Sequence, residues 1–344
     1  MTSAVRTDLL TSLLRDVSRS FYLTLRLLPT PVRPQIGLAY LLARATDTIA
    51  DTELLPLDER LGALAALRDR ILGNRTEPID LGRLAENQAL PAERVLLHRV
   101  EEAIGILGGL ACFDRCCIRT VLEMITGGQE LDLRRFHGAA AGRIVALADG
   151  AELDDYTYRV AGCVGGFWTR LCRSHLYPQA ALDVQGYVDD AIRFGKGLQM
   201  VNILRDLPGD LRKGRCYVPA EDLADAGLTP ETLLDPGSMS RFRGTYRELL
   251  AQAAEHLAAG WRYTCTTPRN QRRVRLACAL PLLIGADTLR LLAGHNVLDP
   301  ARRLKVTRAR VRSLLLRAVV FHPFPRTWER LFDPRLPVNG VARG

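Results

Sequence analysis

Two sets of residues have the types and spacing to do chemistry. Tyr40, Arg44, Asp47 and Asp51 are spaced four, three and four apart. At roughly 100° per residue they share one face of a helix. With Ile36, Leu41, Leu42 and Ile49 as neighbours, that face is expected to be buried. Two acids at i, i+4 repel each other, and burial raises the cost unless a cation neutralises them. Gln199, Asn202, Asp206 and Asp210, spaced three, four and four, repeat the pattern far downstream. Pro208-Gly209 is expected to interrupt that helix and leave Asp210 beyond a kink. One acidic stripe alone is more often a solvated surface, but two on apolar segments point to a site.

Carboxylates are hard ligands suited to Mg²⁺, which commonly joins protein carboxylates to substrate phosphates. Asn202 and Gln199 would add neutral polar contacts. Arg19, Arg44, Arg205, Arg212, Lys213 and Arg215 are candidates for gripping diphosphate oxygens. If these helices point their acids at each other across an otherwise apolar cavity, the substrate combines a diphosphate head with a hydrocarbon tail, as in an allylic prenyl diphosphate. Ionising it needs charge stabilisation at the leaving group and a dry wall around the carbocation. The rings or hydroxyls of Tyr40 and Tyr156 suit cation stabilisation or proton transfer.

The elements that position these groups read as helices. In 344 residues, 47% of them hydrophobic, Ala, Leu and Arg dominate and no alternating pattern persists, so the fold is expected to be all-α with no need of strands. Residues 1–332 are taken as one helical domain, and 333–344, rich in Pro and Gly, as a flexible tail. Helices are expected over residues 8–28, 57–72, 92–107, 114–133, 241–263, 274–292 and 307–320. Asp154 and Asp155 are expected to cap the helix that follows them. The glycines of AGCVGG, Gly162, Gly165 and Gly166, cost about 1 kcal/mol each in a helix interior and imply a close approach by a neighbour.

The net charge of +9 suits nucleic acid, an anionic membrane or an acidic substrate. No zinc finger, RNA-binding signature or aromatic-basic interleaving accompanies it, so nucleic acid is not expected as a partner. The eight cysteines lack zinc spacing and read as reduced core residues of a cytoplasmic protein. No secretory leader is expected, nor a membrane span, the longest apolar run being Leu276–Ala286.

SRSF at Ser18–Phe21, YLLARATDTIAD at Tyr40–Asp51, YTYRVAG at Tyr156–Gly162 and QMVNILRDLPGDLRKGRCYVP at Gln199–Pro219 together resemble, in order, the motifs of the squalene and phytoene synthase family. The resemblance covers most of the chain. It implies an isoprenoid-synthase helical bundle around a central cavity and a prenyltransferase that joins prenyl diphosphates head to head. By this resemblance Asp47, Asp51, Asp206 and Asp210, with Asn202, hold Mg²⁺. Ser18, Arg19, Ser20, Phe21, Arg44, Gln199, Asn202, Arg205, Arg215 and Tyr217 meet substrate, and Tyr156 and Tyr40 act on the cation or its proton.

A C-terminal apolar segment followed by LKVTRARVRSLL resembles squalene synthases and implies NADPH binding by Lys305, Arg308 and Arg310. The expectation is therefore an enzyme that converts two farnesyl diphosphates through presqualene diphosphate to squalene. The alternatives are phytoene, dehydrosqualene or presqualene diphosphate synthesis without NADPH, and a non-catalytic lipid-binding or assembly factor of the same fold. A basic surface and an insoluble product also suggest peripheral attachment at the inner membrane face.

Overall fold

The computed structural model of the chain describes residues 8–18, 21–52, 54–140, 142–302 and 304–336. The chain forms two compact units, one running to His137 and including Phe167–Ala180, the other made of Gly138–Gly166 and the chain from Ala181 onward.

The first unit contains α1 (Arg33–Ala50), α2 (Leu57–Leu72), α3 (Pro91–His98), α4 (Val100–Gly108) and α5 (Cys112–Arg135). The single helix expected over 92–107 is two, divided at Arg99. Pro34 is tolerated in α1 because the first turn has no N–H partner to lose. Leu38, Leu41, Leu42, Ala45 and Ile49 of α1 are all fully buried and pack on α5. Burying each of the leucines or the isoleucine is worth about 1.5–3 kcal/mol.

That packing corrects the orientation expected for the first stripe. Tyr40 and Arg44 are only half-buried, and Asp47 and Asp51 are exposed. The apolar residues at 38, 41, 42, 45 and 49 form their own stripe on the opposite side, and apolar groups bury at less cost than carboxylates.

In the second unit, α6 (Gly150–Thr157) leads through a π-helical turn at Tyr158–Gly162 into α7 (Cys163–Leu176), of which Cys163–Gly166 belongs to this unit. Then follow α8 (Val184–Arg212), α9 (Met239–Thr266), α10 (Arg272–Gly294) and α11 (Arg308–Phe321). The cap of α6 is Asp149, whose Oδ1 accepts from the Glu152 N–H at 2.9 Å. Asp154 and Asp155 instead lie inside the helix, paired with Lys196 and Arg159. Strands do occur: β1 (Val145–Ala146) runs parallel to β2 (Arg215–Cys216), with Val145 opposite Arg215.

The glycines of AGCVGG explain how the second unit closes. A Cβ on Gly165 would stand 1.9 Å from the Ala191 carbonyl oxygen of α8, and one on Gly195 2.2 Å from that of Ala161. The two segments touch backbone to backbone, which only glycine permits. Gly165→Ala is expected to lower stability by about 3 kcal/mol or more, since a backbone carbonyl cannot move aside as a side chain can. A thermal melt close to wild type would show that the contact is looser than this.

By length and composition α10 is the helix, among the described residues, that could cross a membrane, but 67% of its apolar window is buried in the fold. It is a core helix. The thiols of Cys117, Cys172, Cys216 and Cys278 are buried as expected, whereas Cys112 and Cys116 at the start of α5 are exposed. Of the expected tail, Asp333 is held by Arg290, which donates to its carbonyl oxygen, and 337–344 lie outside the described residues.

Candidate active site

In the first unit Asp47 is the centre of a small network. Arg44 Nη1 donates to its Oδ2 at 3.3 Å and Gln129 Nε2 to its Oδ1 at 2.9 Å. Arg44 also donates to Glu93 of α3. The Asp47 side chain is 51% accessible, although protein packs closely around its carboxyl. Desolvation by that surrounding protein, and then the charge of Asp51, push its carboxyl up to about 6. Arg44 and Gln129 oppose the rise without cancelling it.

Such a pair fits a hard divalent cation. The donors are oxygens, the carboxylates repel in its absence, and the Gln129 Oε1 is buried with no hydrogen-bond partner among the described residues. Gln129 and Glu93 were not among the residues expected here. Gln129 has a local signal, its polar spacing with Asp132 on α5, but nothing near it in the chain points to Asp47.

In the second unit α8 presents Gln199, Asn202, Arg205, Asp206 and Asp210. Asn202 and Asp206 are exposed, and Gln199, Arg205 and Asp210 half-buried. Asn202 Nδ2 donates to Gln199 Oε1 at 3.5 Å, and Arg205 Nε to Asp206 Oδ1 at 2.9 Å. Lys196, three residues before Gln199, extends the stripe. Its Nζ lies 2.6 Å from Asp154 and 5.7 Å from the centre of the Tyr158 ring.

The expected break at Pro208 does not occur, because α8 continues through it to Arg212 and keeps Asp206 and Asp210 on one helix. Proline removes the N–H that would reach the carbonyl of Leu204. That carbonyl instead accepts from the hydroxyl of Tyr246 on α9, at 3.0 Å in a buried setting. The lost bond is thus replaced by a tertiary one, and Tyr246, fully buried, has its phenol pKa raised by desolvation.

After α8, Gly214 turns the chain at φ +80°, where a Cβ would lie 2.2 Å from the Ala140 backbone nitrogen. The turn delivers Arg215 to β2 and Tyr217 just beyond it. Tyr217 is buried and stacks on Tyr156 of α6, ring centres 4.6 Å apart. Parallel pairing of β2 with β1, including Val145 N–H to the Gly214 carbonyl at 2.9 Å, sets that position.

The remaining expected residues divide. Ser18 is buried, its Oγ without a hydrogen-bond partner among the described residues, Arg19 and Ser20 lie outside them, and Phe21 begins a short helix, Phe21–Leu27. Lys305 and Arg308 are exposed. Arg310 is engaged elsewhere, its Nε 2.6 Å from Asp287 of α10.

The family model for squalene/phytoene synthase matches residues 14–310. The chain belongs to the squalene/phytoene synthase family. This is a family of prenyltransferases that join prenyl diphosphates head to head. Similar curated proteins include the presqualene diphosphate synthase of Rhodopseudomonas palustris, 27% identical over 88% of this chain and 93% of that protein. That of Zymomonas mobilis is 29% identical over 88% and 90%. Among solved structures, TcSQS with the ligand BPH1237 superposes with a TM-score of 0.73 at 21% identity, covering 98% of this chain and 94% of that one. This likeness establishes the all-α isoprenoid-synthase fold. The matched range includes both aspartate pairs, at 47/51 and 206/210.

Proposed function

We propose that the chain condenses two farnesyl diphosphates to presqualene diphosphate. The observation that carries this reading is the Asp47–Asp51 pair, whose repulsion at neutral pH suits a carboxylate couple that binds a divalent cation. Mg²⁺, held by Asp47 and Asp51 in the first unit and by Asn202, Asp206 and Asp210 in the second, would supply the positive charge that draws off the diphosphate. Arg44, Arg205 and Arg215 would bind diphosphate oxygens, with Arg19 from the preceding motif. The face of Tyr156, held by its stack on Tyr217, would steady the carbocation, and its hydroxyl would relay the released proton, giving up its own to the departing diphosphate as it takes the new one. Burial pushes the neighbouring Cys216 thiol up to about 12, so it stays protonated and does not offer a thiolate to the cation.

Termination at presqualene diphosphate is supported by the two relatives that carry that name over most of their length and by the engagement of Arg310 with Asp287. A second reading, reduction by NADPH to squalene, is favoured by the exposed cations Lys305 and Arg308. Incubation with farnesyl diphosphate and Mg²⁺, with and without NADPH, separates them. Presqualene diphosphate under both conditions is the expected product. Squalene formed only with NADPH would replace the first reading by the second, and consumption of geranylgeranyl diphosphate alone would overturn both.

A further inference from the structure

The helix α11 has two apolar sides. Leu314 and Ala318 are buried against the fold, and the Arg310–Asp287 ion pair ties the helix to α10. On the opposite side Leu316 is 64% exposed, and Val319 and Val320 are nearly half exposed. At 100° per residue these three span roughly 100° of the helix circumference. Phe324, 58% exposed, follows in the next turn. Four of the large exposed apolar side chains among the described residues therefore lie within nine positions.

Their surroundings are strongly cationic. Between residues 308 and 330 the sequence holds Arg308, Arg310, Arg312, Arg317, Arg326 and Arg330 against one acid, Glu329, and all six arginines are exposed. By helical position Arg312 stands in line with the apolar strip one turn before Leu316, Arg308 lies just off one edge and Arg317 beyond the other. An outward apolar strip bordered by arginines is the pattern of a helix that lies in a lipid headgroup layer, with Leu and Val in the acyl boundary and guanidinium groups on phosphates. A protein partner for so basic a rim would have to be acidic and apolar at once, whereas an anionic bilayer offers both layers at the required depth.

We infer that the outer face of α11, continued by Phe324, docks the protein on anionic phospholipid membranes. This inference goes beyond the reaction proposed above and does not depend on where that reaction stops. The test is co-sedimentation of the full chain with phosphatidylcholine vesicles, with and without phosphatidylglycerol. The expected result is binding at least about tenfold stronger to the anionic vesicles, weakening as salt is raised.

Leu316→Glu with Val320→Glu should abolish that binding while leaving the far-ultraviolet circular dichroism, the melting temperature and turnover of detergent-dispersed farnesyl diphosphate unchanged. Arg312→Glu with Arg317→Glu, which spares the apolar strip, should lower vesicle affinity about tenfold or more. The inference fails if wild type stays in the supernatant with both vesicles or if the Leu316/Val320 variant binds as well as wild type. It also fails if sedimentation equilibrium shows that variant to be a monomer where wild type is a dimer, since the strip would then be a contact between copies.

Discussion

Asp47→Asn is expected to lower prenyl condensation by about 10²-fold to 10³-fold or more, and at the same time to make the metal-free protein more stable at pH 7. The two effects have one cause. The Asp47 carboxyl rises in the folded chain from 3.8 to about 6 through desolvation by the protein around it and the nearby Asp51 charge. Between those pH values the folded state binds more protons than the unfolded state, so stability falls as pH rises through this window. The cost is fully present at pH 7 and absent below about pH 4.

With half the side chain accessible, solvent screening reduces the gain from removing it to about 1 kcal/mol. Melting curves from pH 4 to 7 without metal should show the variant's advantage grow with pH. Added Mg²⁺ should stabilise wild type and leave the variant unmoved, with protection of wild type fading as pH falls below about 6. Equal Mg²⁺ protection of both proteins would remove Asp47 from the metal assignment, whatever the fate of activity.

The second large effect concerns the acid-bearing helix α8. Tyr246→Phe leaves the buried Leu204 carbonyl without the donor that replaces the missing N–H of Pro208. Stranding a buried acceptor costs about 1–3 kcal/mol. Pro208→Ala restores a backbone donor one helical turn beyond Leu204, so Tyr246→Phe should cost less in that background, a coupling of about 1 kcal/mol in a double-mutant cycle. Because Asp206 and Asp210 stand on either side of Pro208, the single variant should also weaken Mg²⁺ binding measured by calorimetry, and Pro208→Ala should recover part of it. Additive costs in the cycle would mean that the hydroxyl and the proline act independently.

Much of this site was legible in the chain. The aspartate spacings, the arginines beside them, Tyr156 and the order of the motifs are local properties, and they carried the resemblance to the family whose model matches residues 14–310. Helix positions were close for the same reason, as with α2 over Leu57–Leu72 and the start of α11, where Thr307 Oγ1 accepts from the Arg310 N–H at 3.2 Å. Apolar neighbours around Asp47 suggested burial, but Leu38, Leu42, Ala45 and Ile49 claim the core and turn the acid outward. Pro208 suggested a break, and a hydroxyl from another helix made the break unnecessary.

The sequence by itself determined which groups can do the chemistry and how each helix spaces them, since both follow from side-chain type and a rise of 1.5 Å per residue. Only the tertiary structure decided which distant groups meet them. Gln129 reaches Asp47 across 82 positions and Glu93 reaches Arg44 across 49. Arg310 goes to Asp287, and Tyr246 to the carbonyl beneath Pro208. These pairings have no local periodicity, because they depend on how closely the helices pack. That closeness is set where glycines such as Gly165 let one backbone rest against another.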